Sequence, residues 1–192
     1  MKRVAYWIVA IMMLVVAVPA HSQSKEAKKA VKKIQKAERK KEKNAQLIEN
    51  RKQFLSLIED KTFVLEAHTL YDRYFNSYFV TPSTNFVMVD GDKLVMQLGF
   101  NHRVGFNGLG GITIEGRIAS YEIIEGKENG PLTIRTQVTS PILGGSTVTM
   151  SIYNDGHATA NVISSFGSKI TFSGNFVDHE STTAFKGFPS YY

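Results

Sequence analysis

From residue 62 to the C-terminus, apolar and polar residues alternate with a period of two. Phe63, Leu65 and Ala67 oppose Val64, Glu66 and His68; Leu94, Met96, Leu98 and Phe100 oppose Lys93, Val95, Gln97 and Gly99; Leu132, Ile134, Thr136 and Val138 oppose Thr133, Arg135 and Gln137. Val148, Met150 and Ile152, and later Ile170, Phe172 and Phe176, repeat the pattern. One dry and one wet face per strand marks antiparallel sheet. The pattern predicts eight strands, at 62–68, 84–89, 93–100, 111–124, 131–139, 146–153, 157–163 and 169–177. Asp90-Gly91, Asn129-Gly130 and Asp155-Gly156 stand between alternating runs and read as tight hairpins, with Gly144-Gly145 as a further candidate.

In the 111–124 strand the apolar positions change from even (Ile112, Ile114, Ile118) to odd (Tyr121, Ile123). A bulge near Ala119 and Ser120 restores the dry face and bends the strand. The predicted fold is mainly β: an antiparallel meander of about eight strands forming a lipocalin-like barrel or a two-layer sandwich. A long basic helix precedes it. Residues from Ser24 to about Asp60 contain no glycine or proline, are rich in Lys, Glu, Ala and Gln, and begin with Ser24 as an N-cap. Such a helix reaches roughly 55 Å. Its first half carries a thin heptad seam (Ala27, Val31, Ile34, Ala45) interrupted by Glu38 and Lys41. Leu47, Ile48, Phe54, Leu55 and Ile58 share a face in the second half and are expected to dock on the β domain.

The N-terminus has a different character. Met1, Lys2 and Arg3 precede an unbroken apolar or aromatic run from Val4 to Val18, followed by Pro19-Ala20-His21-Ser22. This is the layout of an export signal cut before Gln23. The run is shorter than the roughly 20 residues that span a bilayer as a helix. The expected organisation is therefore a signal peptide at 1–22, the basic helix at 23–60 and the β domain at 61–192, exported and soluble after cleavage in the periplasm or cell envelope.

The absence of cysteine excludes disulfides, thiolate metal sites, catalytic thiols and a lipidated N-terminal cysteine. The net charge of +6 hides a division: Lys25 to Lys52 holds 12 basic and 4 acidic residues, whereas Gln53 to Tyr192 holds 9 basic and 13 acidic. Lys28, Lys29, Lys32, Lys33, Lys36 and Lys40 suit attraction to an anionic membrane surface. The plain alternative is a solvated stalk. Nucleic acid is set aside as a partner for an exported chain.

The sequence holds no G-x-S-x-G or H-E-x-x-H motif, no histidine pair with metal-ligand spacing on one element, and no cofactor signature. Glu66 and His68 lie one pleat apart and could form an acid and base pair, although such pairs are usually solvated surface. The loop Gly105-Phe106-Asn107-Gly108-Leu109-Gly110-Gly111 lacks the Lys-Ser/Thr of a P-loop and leads into a strand, so its glycines read first as turn formers. Between the first two strands, Tyr71, Tyr74, Phe75, Tyr78 and Phe79 have a 3/4/7/8 spacing that would align them on one face of a short helix. With Phe106 and Asn107 they form the candidate ligand-binding set; a lid that plugs the barrel is the plain alternative. Phe185, Phe188, Tyr191 and Tyr192 suggest an aromatic C-terminal tail.

Three stretches resemble an exported domain-of-unknown-function family, number 4251, common in Bacteroidota. They are Asn85 to Gln97 with its D-G hairpin, Leu98-Gly99-Phe100 leading through the Gly-rich loop into Gly111-Ile112-Thr113-Ile114, and Ser151-Ile152-Tyr153-Asn154-Asp155-Gly156-His157-Ala158 leading to Ile170-Thr171-Phe172-Ser173-Gly174. The likeness spans roughly Lys52 to Phe176. It departs at Gln97-Leu98-Gly99-Phe100-Asn101, where members tend to show Leu-Pro-Tyr-Phe-Gly. The resemblance implies an envelope location and offers no catalytic residues. The foremost functional expectation is a non-catalytic module that binds an apolar or amphipathic small molecule. The alternative is an envelope interaction protein meeting an anionic surface or a partner through the basic helix, and a hydrolase comes last.

Overall fold

The computed structural model describes residues 25–99, 110–127, 130–142 and 144–189. Helix α1 (Lys25–Glu59) is followed by β1 (Thr62–Tyr71), β2 (Ser77–Phe79), a 3₁₀ turn (Pro82–Thr84), β3 (Phe86–Asp90), β4 (Lys93–Leu98), β5 (Ile112–Glu125), β6 (Leu132–Ser140), β7 (Gly144–Ile152), β8 (His157–Ser164) and β9 (Lys169–Asp178). The strands pair antiparallel in the order β2-β1-β3-β4-β5-β6-β7-β8-β9, and β1 also pairs with β9. Eight strands thus close into a barrel in meander order. β2 is a ninth, outside the ring, and extends the edge of β1 beyond the point where β3 leaves it. The choice between barrel and sandwich is settled in favour of the barrel.

Closure depends on two bulges. In β5 the register shifts between Ile118 and Ser120, where the parity change predicts it. In β1 it shifts between Ala67 and Thr69, so His68 is the extra residue. This second bulge turns the inward parity from Phe63, Leu65 and Ala67 to Leu70 and bends β1 enough to serve β3 along its first half and β2 along its last residues. Gly174 makes it possible: a Cβ there would lie 2.7 Å from the Ala67 Cα and closer still to the Glu66 carbonyl oxygen. The interior is packed by Phe63, Leu65, Leu132, Ile134, Met150, Phe172 and their neighbours. Each such side chain contributes about 1.5–3 kcal/mol by leaving water.

The described turns follow the dipeptides with one exception. Gly91 (φ 57°) and Gly156 (φ 88°) take left-handed backbone in the β3–β4 and β7–β8 hairpins. Gly144-Gly145 begins β7 rather than forming a turn, because Gly144 already pairs with Ser140. Asn129 of the β5–β6 connection lies outside the described residues.

Residues 45–192 form one compact unit, and the chain before them is a separate unit. Within the first of these, the end of α1 covers one mouth of the barrel. Ile58 is fully buried, Phe54 meets Phe176 edge-on at 5.1 Å, and the Tyr121 hydroxyl donates to the Ile58 carbonyl at 2.8 Å. Asn50 and Arg51 donate to the carbonyls of Asn154 and Gly130 in the neighbouring turns. Ile48 stays exposed, contrary to expectation, since it lies about 100° around the helix from Leu47 and so at the edge of the docked stripe. Leu57 packs instead.

A smaller apolar cluster of Val64, Phe86 and Val95 lies on the outer wall, with Met88, Val177 and, from the C-terminal segment, Ala184 packed against it. The C-terminal segment is strapped down by Thr182 and Thr183, which donate three hydrogen bonds to Glu66, and by Gln97, whose amide donates to the Phe185 carbonyl and accepts from the Gly187 N–H.

Candidate functional site

The aromatic segment after β1 does not coil. β1 continues to Tyr71 because β9 offers it Thr171 and Phe172 as partners, and a turn then reverses the chain into β2, with Tyr71 opposite Ser77, Leu70 opposite Tyr78 and Thr69 opposite Phe79. The expected one-faced helix is therefore replaced by a hairpin. Asp72 organises the turn. Its Oδ1 accepts the N–H groups of Tyr74 (2.8 Å) and Asn76 (2.9 Å), and its Oδ2 accepts from the Asn76 amide (2.8 Å) and the Tyr78 hydroxyl (3.4 Å). The Asn76 side chain leads in holding the Asp72 carboxyl below its ordinary 3.8, helped by the two backbone donors and Tyr78 and opposed by partial desolvation.

The hairpin displays its rings. Tyr74 is 68% exposed, Phe75 74%, Tyr78 52% and Phe79 89%, while Tyr71 is half-buried. Phe75 holds a left-handed backbone (φ 64°), a conformation costly for a bulky side chain. Two cations sit against the rings. The Arg73 guanidinium lies 4.6 Å from the Tyr74 centroid and donates to its hydroxyl, and the Lys169 ammonium lies 5.2 Å from the Phe75 centroid. These are attractive cation–π geometries.

Among the described residues the barrel interior is closely packed. Leu94, Met96, Ile114, Gly116, Val138 and Ser146 border an internal void of about 10 Å³, against roughly 300 Å³ or more for a typical small-molecule site. A larger depression of about 310 Å³ lies on the outer wall, lined among others by Gln137, Thr139, Thr147, Ile163 and Ser165. It opens over Gly145, where a side chain would meet nothing within 4 Å.

Glu66 and His68 are not brought together. The Glu66 carboxylate is taken up by the C-terminal strap, and the bulge turns His68 toward His157, with ring centroids 6.3 Å apart and a further ring, Tyr153, 6.0 Å from His157. Among the described residues no three His, Asp or Glu side chains converge as metal ligands. Of the basic set, Lys29, Lys32, Lys33, Lys36 and Lys40 are exposed along α1. The Lys28 side chain, Phe106, Asn107, Tyr191, Tyr192 and the proposed signal segment lie outside what the structure describes. No helix among the described residues is long and apolar enough to cross a membrane.

Two residues that sequence reading passed over hold the backbone beyond β4 and the C-terminal strap in place. Asn85 and Gln97 are both fully buried. Asn85 donates to the Gly99 carbonyl at 3.1 Å and accepts the Gly99 N–H at 2.9 Å, which fixes the backbone just after β4; Gln97 also accepts from the Thr113 hydroxyl at 3.0 Å. The signal for them was the company they keep: Val64, Phe86 and Val95 are apolar at outward positions, which requires a cover on that wall.

No curated protein matches the chain. Among solved structures it is similar to the crystal structure of a DUF4251 family protein from Bacteroides eggerthii DSM 20697, determined at 1.95 Å resolution, with 26% sequence identity and a TM-score of 0.53 over 67% of this chain and 87% of that one. The family profile for the domain of unknown function DUF4251 matches residues 42–176, from the second half of α1 through most of β9. With that match across most of its length, the chain belongs to the DUF4251 family.

Proposed function

We propose that this chain is a non-catalytic envelope module that displays its binding surface on the outside of a filled barrel and meets an anionic amphipathic surface. The exposed aromatic hairpin with its two cations carries this reading, and the small void of about 10 Å³ bordered by described residues in the barrel supports it. Each unit by itself offers chemistry suited to such a surface: the exposed lysines of α1 offer charge attraction, and the aromatic hairpin of the β domain offers interfacial rings with two cations of its own. Export rests on the n-region and apolar run at 1–22.

Co-sedimentation with vesicles tests it. Binding to phosphatidylglycerol-containing vesicles should exceed binding to phosphatidylcholine alone and weaken as salt is raised. Replacing Lys29, Lys32, Lys33 and Lys36 with Gln should weaken it at low salt. Negligible and equal binding to both vesicle types counts against the proposal.

A second reading is favoured by the 310 Å³ depression, whose hydroxyls, Gln137 amide and Ile163 suit an amphipathic small molecule. Native mass spectrometry of the protein purified from its own source should then show a bound small molecule that Gly145→Trp removes. Retention of the molecule in that variant would place it elsewhere.

A further inference from the structure

We propose that the 72–79 hairpin is a membrane-insertion tip, with Phe75 and Phe79 entering the acyl boundary of an anionic bilayer while Arg73 and Lys169 meet lipid phosphates. This rests on the surface-binding reading above and deepens it by naming the element that penetrates.

Shape is the first argument. All three residues of β2 are exposed, so the hairpin is a projecting ribbon rather than a groove. A projecting ribbon cannot surround a small molecule, but it can enter a soft, extended phase. Ring chemistry is the second. Tyr74 and Tyr78 have an apolar body and a polar tip, the pairing enriched at membrane–water interfaces, and Phe75 and Phe79 add purely apolar surface. Charge is the third. Arg73 and Lys169 stand over the rings, so cationic heads and apolar faces are offered together. The acid of the turn, Asp72, has its oxygens occupied by four donors within the hairpin.

Strain is the fourth and independent argument. A phenylalanine in left-handed backbone is strained, because its Cβ crowds the neighbouring carbonyl. Asn or Gly would hold the same turn without that strain. The Asp72 network instead keeps an aromatic there, directed to solvent, which points to use of the ring outside the fold.

The test uses the chain from Gln23 onward, which contains every described residue and lacks the sole tryptophan, Trp7. Phe79→Trp then places a single fluorophore on the tip. With phosphatidylglycerol-containing vesicles, its emission should shift to the blue and resist an aqueous quencher. Phe75→Asn should weaken partitioning about tenfold, the loss expected for one ring returned to water, while leaving the thermal midpoint unchanged or higher. Phe79→Ser, at an exposed β2 position, serves as the second variant and carries the same expected loss should Phe75→Asn fail to fold.

If the protein binds anionic vesicles while the emission of the Phe79→Trp variant stays water-like and neither of the other variants changes partitioning, the insertion proposal is overturned and helix-driven surface binding stands. If the unsubstituted protein binds no vesicle, both readings fall.

Discussion

Gly174 shows how one missing side chain fixes the path of two strands. A Cβ at that position would overlap the β1 backbone at Glu66 and Ala67, so Gly174→Ala must separate β1 from β9 at the seam that closes the barrel. Backbone, unlike a flexible side-chain tip, has little room to yield. The expected cost is about 3 kcal/mol or more, read as a lower urea midpoint with an unchanged slope. Asp72 offers a second test on a single group. Its folded-state pKa is depressed, so its contribution to the hairpin is complete above the ordinary 3.8 and is lost as pH falls through the lower folded value. Acid titration followed by NMR should show the Tyr74 and Asn76 amide signals moving together with an apparent pKa below 3.8. A midpoint at or above the ordinary value would remove Asp72 as the organiser of the turn.

Among the elements, α1 depends on its last turns for attachment. Ile58 lies in the barrel mouth with no exposure, and Ile58→Ala should destabilise the 45–192 unit by about 3 kcal/mol. Tyr121→Phe removes the donor to the Ile58 carbonyl and should cost about 1 kcal/mol. Burial raises the Tyr121 pKa well above its ordinary 10.0. The stability associated with its neutral phenol is therefore complete below pH 10 and lost as pH rises through the folded value. An absorbance titration should show one tyrosine still protonated after the exposed ones have ionised, and that signal should be missing in Tyr121→Phe. A spectrum in which every tyrosine ionises together would contradict the docked geometry.

Several elements could be read in advance, for a physical reason in each case. The barrel strands announce themselves because each has one face in a dry interior and one in water, and the parity change around Ala119 gives away its bulge because both half-strands are long enough to show their phase. The β1 bulge is hidden. His68 looks like an ordinary outward residue after Ala67, and only Leu70 follows to reveal the new phase. β2 is hidden by its length: three residues cannot show a period, and the aromatic spacing around them imitates a helix. The C-terminal strap left a signal in the apolar outward residues Val64, Phe86 and Val95, which a strict reading of alternation treats as noise.

For the molecule as a whole, closure and the packing of the described interior are what support the proposed outward-facing function. Pairing of β1 with β9 leaves no open ring edge, and Phe63, Phe172, Met150 and their neighbours occupy the space that a ligand-holding barrel keeps empty. Of the candidate binding residues, the aromatics of the hairpin were identifiable by type, but their placement on a hairpin was not. Alternation shows which side chains face inward, yet whether they meet in the middle depends on barrel circumference, which the two bulges alter. The measurement that tests this account most directly is amide hydrogen exchange with and without phosphatidylglycerol-containing vesicles. Slower exchange confined to residues 72–79 and the exposed basic part of α1, with the barrel strands unchanged, is the predicted result. A change centred on the barrel strands, or none in the hairpin, would contradict it.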